Sequence, residues 1–440
     1  MPDERYWNRQ LETMDPEQLQ DLQNARLREQ TAWVYERSSF YRERMDSARV
    51  KPGDIRTVQD LSRLPIMQKL DYRREQDAYP PYGRLICVPQ ETLVKYWTTS
   101  GSTGKPTVFA TTLEDYEDYL ESAARVLWTA GVRPGWKVAV PFSHGHWIGL
   151  WGVFDATWLK VKAQILPLGG YDSEYRIRKM AEVGIDAFCA TPTYASHLSE
   201  VARRLGIHVK SIGVKTVLTA GEPASPATRR MIEETWGATT FDFYGNTENL
   251  SYMGVDCEEK AGFHFWQDRT VVEVVDSDGQ PVPDGQEGEV VFTNLTARSM
   301  PAIRLRIGDV TRIDRSACKC GRTHLRVLYI LGRREDVVKV RGVNIYPRVM
   351  DDVIRGMAGV GSEYRLVFRR DQGLDAMVVQ VEPLPQVDSL QISEALRTRI
   401  RHVCGVTPIV ETLVLGTLPK SEVKAKRVFD ERGVDEFKRS

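Results

Sequence analysis

The spacing of apolar positions changes along the chain, and each change marks a different kind of element. Through about the first 75 residues, positions such as Leu19, Leu22, Trp33 and Val34 recur at near-helical intervals. Asp15-Pro16-Glu17-Gln18 reads as a helix start: Asp15 caps free amides, Pro16 occupies the first turn where no amide is needed, and Gln18 stands three after the cap. Downstream, short β-branched runs alternate with amphipathic stretches. The runs predict strands at Val138 to Pro141, Ala187 to Ala190, Thr216 to Thr219 and Thr240 to Phe243. The stretches predict helices at Ser173 to Val183, Tyr194 to Leu205 and Pro226 to Trp236. Such alternation argues α/β layers. From Val271 the pattern becomes one of paired strands. Val271 to Val275 and Gly288 to Thr293 flank the turn-rich Asp276 to Gly285, which reads as a hairpin.

A boundary is expected near Gly332-Arg333-Arg334-Glu335-Asp336. Beyond it the pattern predicts strands at Tyr364 to Arg369, Ala376 to Val381 and Ile409 to Leu415. Helices are expected at Pro347 to Met357 and Asp388 to Cys404, the second closed by Gly405. The architecture is therefore α/β: a large multi-subdomain N-terminal domain with α/β layers and a β-rich subdomain, residues 1–333, and a small α+β C-terminal domain, residues 334–440. Leu418 to Arg427 carries four lysines or arginines and by itself reads as a solvated tail.

Composition narrows the function classes. The 440 residues suit two or three domains, and 42% hydrophobic content provides for packed cores. Lys+Arg and Asp+Glu are both 60, so bulk charge marks neither a nucleic-acid nor a membrane partner. No stretch approaches the ~20 apolar residues that span a bilayer. Met1-Pro2-Asp3-Glu4-Arg5 is charged and lacks the apolar core of a signal peptide, so a cytoplasmic location is expected. Six cysteines are too few for a disulfide scaffold in a chain this long. Cys87, Cys189 and Cys404 read as small buried apolar residues.

The segment Thr98-Thr99-Ser100-Gly101-Ser102-Thr103-Gly104-Lys105-Pro106-Thr107 crowds hydroxyls, glycines and a lysine together. Glycines admit close backbone approach, amides and hydroxyls donate to phosphate oxygens, and Lys105 adds a compact charge. It is not a Walker A loop, which needs four residues between the glycines and a hydroxyl after the lysine. Alone it could be a flexible turn. Further segments follow in order: Ala220-Gly221-Glu222-Pro223, Tyr244-Gly245-Asn246-Thr247-Glu248, Arg306-Ile307-Gly308-Asp309, Gly332-Arg333-Arg334-Glu335-Asp336, Lys339-Val340-Arg341-Gly342-Val343-Asn344 and Leu418-Pro419-Lys420-Ser421-Glu422-Val423-Lys424. Taken singly, Glu222 and Glu248 are solvated carboxylates, Asp309 a turn residue and Lys424 a tail lysine. The ordered set resembles the adenylate-forming superfamily of acyl-CoA synthetases, adenylation domains and luciferases. It is most similar to the phenylacetate–CoA ligase branch. The marks of that branch are Phe40-Tyr41-Arg42-Glu43-Arg44, Leu64-Pro65 before Lys69, Thr191-Pro192-Thr193-Tyr194 and Arg341-Gly342-Val343-Asn344-Ile345-Tyr346-Pro347.

The resemblance implies two half-reactions. A carboxylate attacks the α-phosphate of ATP to give acyl-AMP and pyrophosphate, and a thiol, usually coenzyme A, then displaces AMP. Bringing anions together needs charge neutralisation and positioning more than a covalent nucleophile. By resemblance, the loop from Ser100 to Lys105 holds the β- and γ-phosphates, and Glu248, after Thr247, binds Mg²⁺. Gly221, Glu222 and Pro223 lie against adenine, while Tyr244 and Gly245 border adenine or the acyl pocket. Asp309 and Arg333 fix the ribose. Lys424 is the catalytic lysine of the small domain, with Lys420 a competitor because Val423 stands where the family commonly has glycine. Glu335 stands at a hinge that is often Asp, about which the small domain pivots between half-reactions. Gly342 then lines the pantetheine channel.

Cys318-Lys319-Cys320-Gly321 together with Cys257 and His264 offers three thiols and an imidazole, the donors of a closed zinc site. His324 rivals His264, and three reduced thiols beside a solvated histidine is the alternative, since Cys-x-Cys is not a diagnostic spacing. Some members of the branch carry zinc at matching positions. For the acyl pocket, Phe142, His144, His146 and Trp147 stand at one wall and Thr193 and Tyr194 at another, which suits a planar ring: phenylacetate, benzoate or a substituted relative. The two histidines also read as ordinary turn residues. The expected function is an aryl-CoA ligase using ATP, Mg²⁺ and coenzyme A. A stand-alone adenylation enzyme loading an acyl-carrier-protein thiol or an amine is the alternative, and a catalytically idle sensor on the same fold is a third reading. A homodimer is compatible with the resemblance.

Overall fold

The computed structural model describes residues 2–99, 106–142, 145–371, 374–419 and 427–432. A nine-stranded mixed sheet lies at the centre of the large domain. Five of its strands are parallel neighbours, in the spatial order Gln164–Pro167, Lys137–Val140, Ala187–Ala190, Thr216–Thr219 and Thr239–Asn246. Ser251–Asp256, Phe263–Phe265, Arg326–Val327 and Ile313–Asp314 extend it antiparallel. The crossovers Ser173–Val183, Pro192–Arg204 and Pro226–Trp236 are capped at their starts by Asp172, Thr191 and Ser225. Ala187–Ala190 and Thr216–Thr219 are buried along their whole length, as strands covered on both faces require. After Lys137–Val140 the chain steps outward to Gln164–Pro167, then returns to the other side for Ala187–Ala190. That reversal opens a crevice beyond the C-terminal ends of the two strands.

The β-rich part is a five-stranded sheet in which Thr270–Val275, Gly288–Asn294 and Leu305–Thr311 run antiparallel and Gly332–Arg333 pairs with Leu305–Thr311. Its outer strand is Met67–Gln68, parallel to Leu305–Arg306. The N-terminal region is therefore less helical than its periodicity predicts. Pro16–Arg37 and Ser39–Ser47 are helices, and Asp15 caps the first with a 2.9 Å bond from the Glu17 amide. Between residues 52 and 68, however, there are only 3₁₀ turns and the two-residue strand. Pro52, Gly53 and Pro65 each interrupt an α-helix there.

The small domain is a four-stranded sheet, ordered Ile409–Thr412, Leu374–Pro383, Val360–Asp371 and Val428–Asp430, with helices Pro347–Arg355 and Ser389–Cys404. Its apolar core also takes in Val338, Val340 and Ile345 of the hairpin that follows Gly332–Arg333. Gly405 closes the second helix at φ +72°. The strand expected to reach Leu415 stops at Thr412, ahead of a turn at Gly416, φ +92°. Leu418 is buried and its amide donates to Glu382, so this end of the expected tail is packed. Cys87 and Cys189 are buried as expected, but Cys404 is only half-buried, with its sulfur 3.7 Å from that of Met350. No helix among the described residues is long and apolar enough to cross a membrane.

Inside the large domain, Arg125 of helix Leu113–Thr129 holds Asp268 through two bonds of 2.7 and 2.9 Å, both side chains out of solvent. Burial alone would raise the Asp268 carboxyl, but the Arg125 charge and its bonds outweigh burial and hold it well below the usual range. The stability it contributes is therefore present above the unfolded carboxyl value and lost as pH falls through the folded one. Asp268→Asn leaves Arg125 buried without its counter-charge. It is expected to lower unfolding free energy by about 3 kcal/mol, read from urea titration at neutral pH.

Candidate active site

Four of the five parallel strands lead at their C-terminal edge into one of the sequence motifs. Pro141 and Phe142 follow Lys137–Val140, Thr191 to Tyr194 follow Ala187–Ala190, and Ala220 to Pro223 follow Thr216–Thr219. Tyr244 and Gly245 close Thr239–Asn246. The crevice walls meet where the rings of Phe142 and Tyr194 stand 5.9 Å apart. Tyr194 is fully buried, and its hydroxyl is held by Arg176 and by Ser173 at 3.0 Å, so it offers the crevice a ring rather than a free hydroxyl. Thr193 is buried, and its amide donates to Glu222 Oε1 at 2.6 Å, joining the second wall to the Gly221-Glu222-Pro223 turn. Gly221 has φ +87°, a conformation glycine adopts without strain.

Tyr244, Asp309 and Arg333 come together. The Tyr244 hydroxyl donates to Asp309 Oδ2, and Arg333 Nε lies 3.5 Å from Asp309 Oδ1. Strand pairing sets this up, because Asp309 and Arg333 are direct cross-strand partners. A register shift between Tyr244 and Gly245 re-aims the tyrosine, whose ring stacks 5.6 Å from Phe265. At Gly245 a Cβ would come within 2.8 Å of the Ser251 carbonyl, so the bulge needs glycine. Burial, then the neighbouring Asp309 charge, raises the Tyr244 phenol well above its ordinary value and keeps it a donor. The result is a carboxylate fixed between a neutral donor and a cation, suited to accepting from vicinal hydroxyls.

Thr247 and Glu248 lie in the turn before Ser251–Asp256. Glu248 is 5% exposed and pairs with Lys69 Nζ at 2.7 Å. Sequence reading gave Lys69 no role. It starts helix Lys69–Ala78, and the pairing of Met67–Gln68 with Leu305–Arg306 helps carry it to the site. The residues Ser100, Gly101, Ser102, Thr103, Gly104 and Lys105, together with His144 and Lys424, lie outside the described residues. The stem of the glycine-rich loop is described: Lys95–Thr98 pairs with Val108–Thr111, and Thr99 and Thr107 hydroxyls meet at 3.1 Å. The Thr98 amide donates to the His146 carbonyl at 2.9 Å, so the stem abuts the Phe142 loop. His146 and Trp147 are both solvent-exposed, with their rings 5.5 Å apart. Gly342 is also exposed. It follows Arg341 in a two-residue hairpin turn, at φ +87° and +48° respectively, which gives this glycine a backbone reason of its own.

At the far end of the mixed sheet, the donor atoms of Cys257, His264, Cys318 and Cys320 all lie within 4.8 Å of one another. Cys257 Sγ is 3.8 Å from Cys318 Sγ, and Cys320 Sγ is 3.2 Å from His264 Nε2. His264 Nδ1 faces the His324 carbonyl at 3.1 Å, which leaves Nε2 to the sulfurs. His324 points elsewhere. Its Nδ1 accepts from the Gln267 amide and its Nε2 donates to the Leu11 carbonyl, both at 3.0 Å, and burial pushes it down to about 4. Three thiols and one imidazole, closely grouped and largely buried, fit a closed tetrahedral metal site. The N-terminal segment grips this knuckle: Tyr6 donates to the Cys320 carbonyl at 2.7 Å, and buried Glu12 pairs with Arg322 at 2.9 Å.

The pattern of the family described as AMP-binding enzyme matches residues 16–296. The chain belongs to the AMP-binding enzyme family. The family's C-terminal domain matches residues 342–432 of this AMP-binding enzyme. It is 36% identical to the phenylacetate-coenzyme A ligase of Thermus thermophilus, over 96% of this chain and 99% of that one. It is 33% identical to the Escherichia coli enzyme of the same name, over 96% and 97%. Among solved structures, 2-hydroxyisobutyryl-CoA ligase in the postadenylation state with 2-HIB-AMP matches at TM-score 0.92 and 31% identity, covering 98% of this chain and 95% of that one. The same ligase in the thioesterification state with CoA, over the same shares, gives a TM-score of 0.73.

Proposed function

We propose that this AMP-binding enzyme activates an aromatic carboxylic acid of the phenylacetate or benzoate kind. The chain is an AMP-forming acid–thiol ligase of the phenylacetate–CoA ligase type, which makes an acyl-AMP and passes the acyl group to coenzyme A. The observation that carries the aromatic reading is the crevice between Phe142 and the Thr193–Tyr194 wall, which opens at the same edge as the Tyr244–Asp309–Arg333 cluster. A ring in that crevice directs its carboxylate toward the nucleotide. In the first half-reaction a carboxylate oxygen bonds to the α-phosphorus and pyrophosphate leaves. In the second, the thiol sulfur bonds to the acyl carbon and AMP leaves.

The residue roles belong to the same proposal. Asp309, oriented by Tyr244 and Arg333, accepts from the ribose hydroxyls, and Gly221, Glu222 and Pro223 border the adenine. Glu248 would hold the magnesium that accompanies ATP, its buried carboxylate being the hard oxygen donor that ion favours. The segment from Ser100 to Lys105 cradles the outer phosphates, and Lys424 neutralises charge developing on the bridging oxygens. Its support is Arg427, which follows Lys424 shortly in the chain and reaches Thr193 Oγ1 at 3.4 Å. We place the hinge at Glu335, between Arg333 of the large sheet and Val338 of the small core. The four-donor knuckle would hold zinc, which there would tie strands together and take no part in the chemistry. Both nucleotide substrates are cytoplasmic, and we place the enzyme there.

AMP release from ATP, measured with and without CoA across benzoic, phenylacetic and aminobenzoic acids and 2-hydroxyisobutyrate, tests the substrate. Strong CoA-dependent turnover with one aromatic acid is expected. Preference for 2-hydroxyisobutyrate overturns the aromatic reading, and AMP release indifferent to CoA points to a carrier-protein or amine acceptor. Lys424→Ala is expected to abolish ATP–pyrophosphate exchange while sparing thioester formation from a supplied acyl-adenylate. Loss of both in a folded variant removes Lys424 from its role. Metal analysis of protein purified without chelators is expected to find about one zinc per chain. Cys320→Ser is expected to lower both zinc content and melting temperature, and metal-free wild type of unchanged stability refutes the site.

A further inference from the structure

The small domain does more than carry a lysine: it completes a helix of the large domain. Pro226–Trp236 begins directly after the Ala220-Gly221-Glu222-Pro223 turn, and like any helix its first amides lack internal partners. Ser225 supplies one acceptor, at 3.1 Å from the Thr228 amide. The amide before it is satisfied from across the domain boundary: Ala227 N donates to Asp352 Oδ1 at 3.0 Å. Beside it, Thr228 Oγ1 donates to Asp351 Oδ2 at 2.7 Å. Two carboxylates on helix Pro347–Arg355 thus sit at the positive end of Pro226–Trp236, where a negative charge is favoured.

Asp351 is itself braced within the small domain. Arg355 Nε donates to it at 2.8 Å and the Tyr364 hydroxyl at 3.1 Å. The face of Tyr364 carries the Arg427 guanidinium, 4.6 Å from the ring centre. Arg427 also meets Glu363 at 3.3 Å and reaches over to Thr193 Oγ1. Thr193 in turn binds Glu222 through its amide. A further contact across the boundary lies on the flank, where Arg348 stands 4.4 Å over the ring of Tyr329. The small domain therefore touches both the helix behind the adenine turn and the acyl wall. It does so through charged hydrogen bonds that a pivot must break.

We propose that Asp351, Asp352 and Arg427 are positioning residues that latch the small domain in the arrangement for adenylate formation. The proposal rests on the ligase reading above, and on the closer match of this chain to the postadenylation form of its solved relative than to the thioesterification form. Docked, the latch caps Pro226–Trp236, steadies the turn that borders adenine and holds Arg427 against the acyl wall. Released, Ala227 N, Thr228 Oγ1 and both carboxylates pass to water, and the domain is free to turn. The strength of the latch divides the enzyme between its two half-reactions.

The test measures the half-reactions separately in full-length protein: ATP–pyrophosphate exchange with the preferred acid, and thioester formation from supplied acyl-adenylate and CoA. Asp352→Ala and, from the other side of the boundary, the near-isosteric Thr228→Val are each expected to lower exchange about tenfold, with thioester formation unchanged or faster. Asp352→Asn, which keeps an acceptor oxygen for Ala227 N, is expected to recover most of the exchange. Equal loss in both half-reactions, or no change in either, would overturn the latch while wild-type exchange still upholds the ligase. A wild type that exchanges pyrophosphate with no acid overturns the ligase reading itself, and the latch with it.

Discussion

Parallel strands laid side by side must all end on the same edge, and here that constraint assembles the site. The Phe142 loop, the Thr191–Tyr194 wall, the Gly221 turn and the Tyr244 bulge come from distant parts of the chain, yet each is the continuation of a neighbouring strand. None needs a dedicated device to find the others. The outward step to Gln164–Pro167 and the return to Ala187–Ala190 add the gap between two of those loops. The β-rich sheet then supplies Asp309 and Arg333 from the side, held in step by their own pairing.

Much of this was legible in the sequence because local signals agreed with the final packing. Helices Ser173–Val183 and Pro226–Trp236 have their predicted ends, since Asp172 and Ser225 cap their starts and Gly184 and Gly237, at φ +63° and +67°, close them. The order of the motifs was visible too, and with it the family. The contacts were not. Nothing in the residues around Lys69 announces Glu248 as its partner, because that pair depends on a two-residue parallel strand too short to register as a pattern. Likewise the choice between His264 and His324 rests on strand pairing, which turns one ring toward the sulfurs and seats the other against Leu11. At Leu418 and Arg427, the described ends of the expected tail, charge density says nothing of the acidic partners, Glu382 and Glu363, in the small domain.

The arrangement separates two demands that often conflict. The boundary between the domains includes hydrogen bonds such as Ala227–Asp352, Tyr346–Glu287 and Arg427–Thr193. Groups of this kind exchange their partners for water when the domains separate. The interior of the large domain instead buries full charges, such as Arg125 with Asp268 and Arg229 with Asp256. Breaking one of those leaves a lone ion out of water, which costs several kcal/mol. Rigidity and mobility are thus assigned to different parts of one chain by whether a polar contact pairs two full charges or one charge with a neutral group.

The N-terminal segment has a further meaning when the chain is considered in time. Tyr6 and Glu12 find their partners at Cys320 and Arg322, and Met67 pairs with Leu305. A nascent chain leaves the ribosome in order, so its first helices emerge long before the strands that complete them. Until residues near 320 have appeared, Tyr6 and Glu12 lack these partners and the large domain is incomplete. Contacts of such long sequence separation slow folding and prolong exposure to aggregation. The segment that clasps the cysteine knuckle is thus made well before the residues that seat it, so completion of the large domain awaits the synthesis of Cys320 and Arg322.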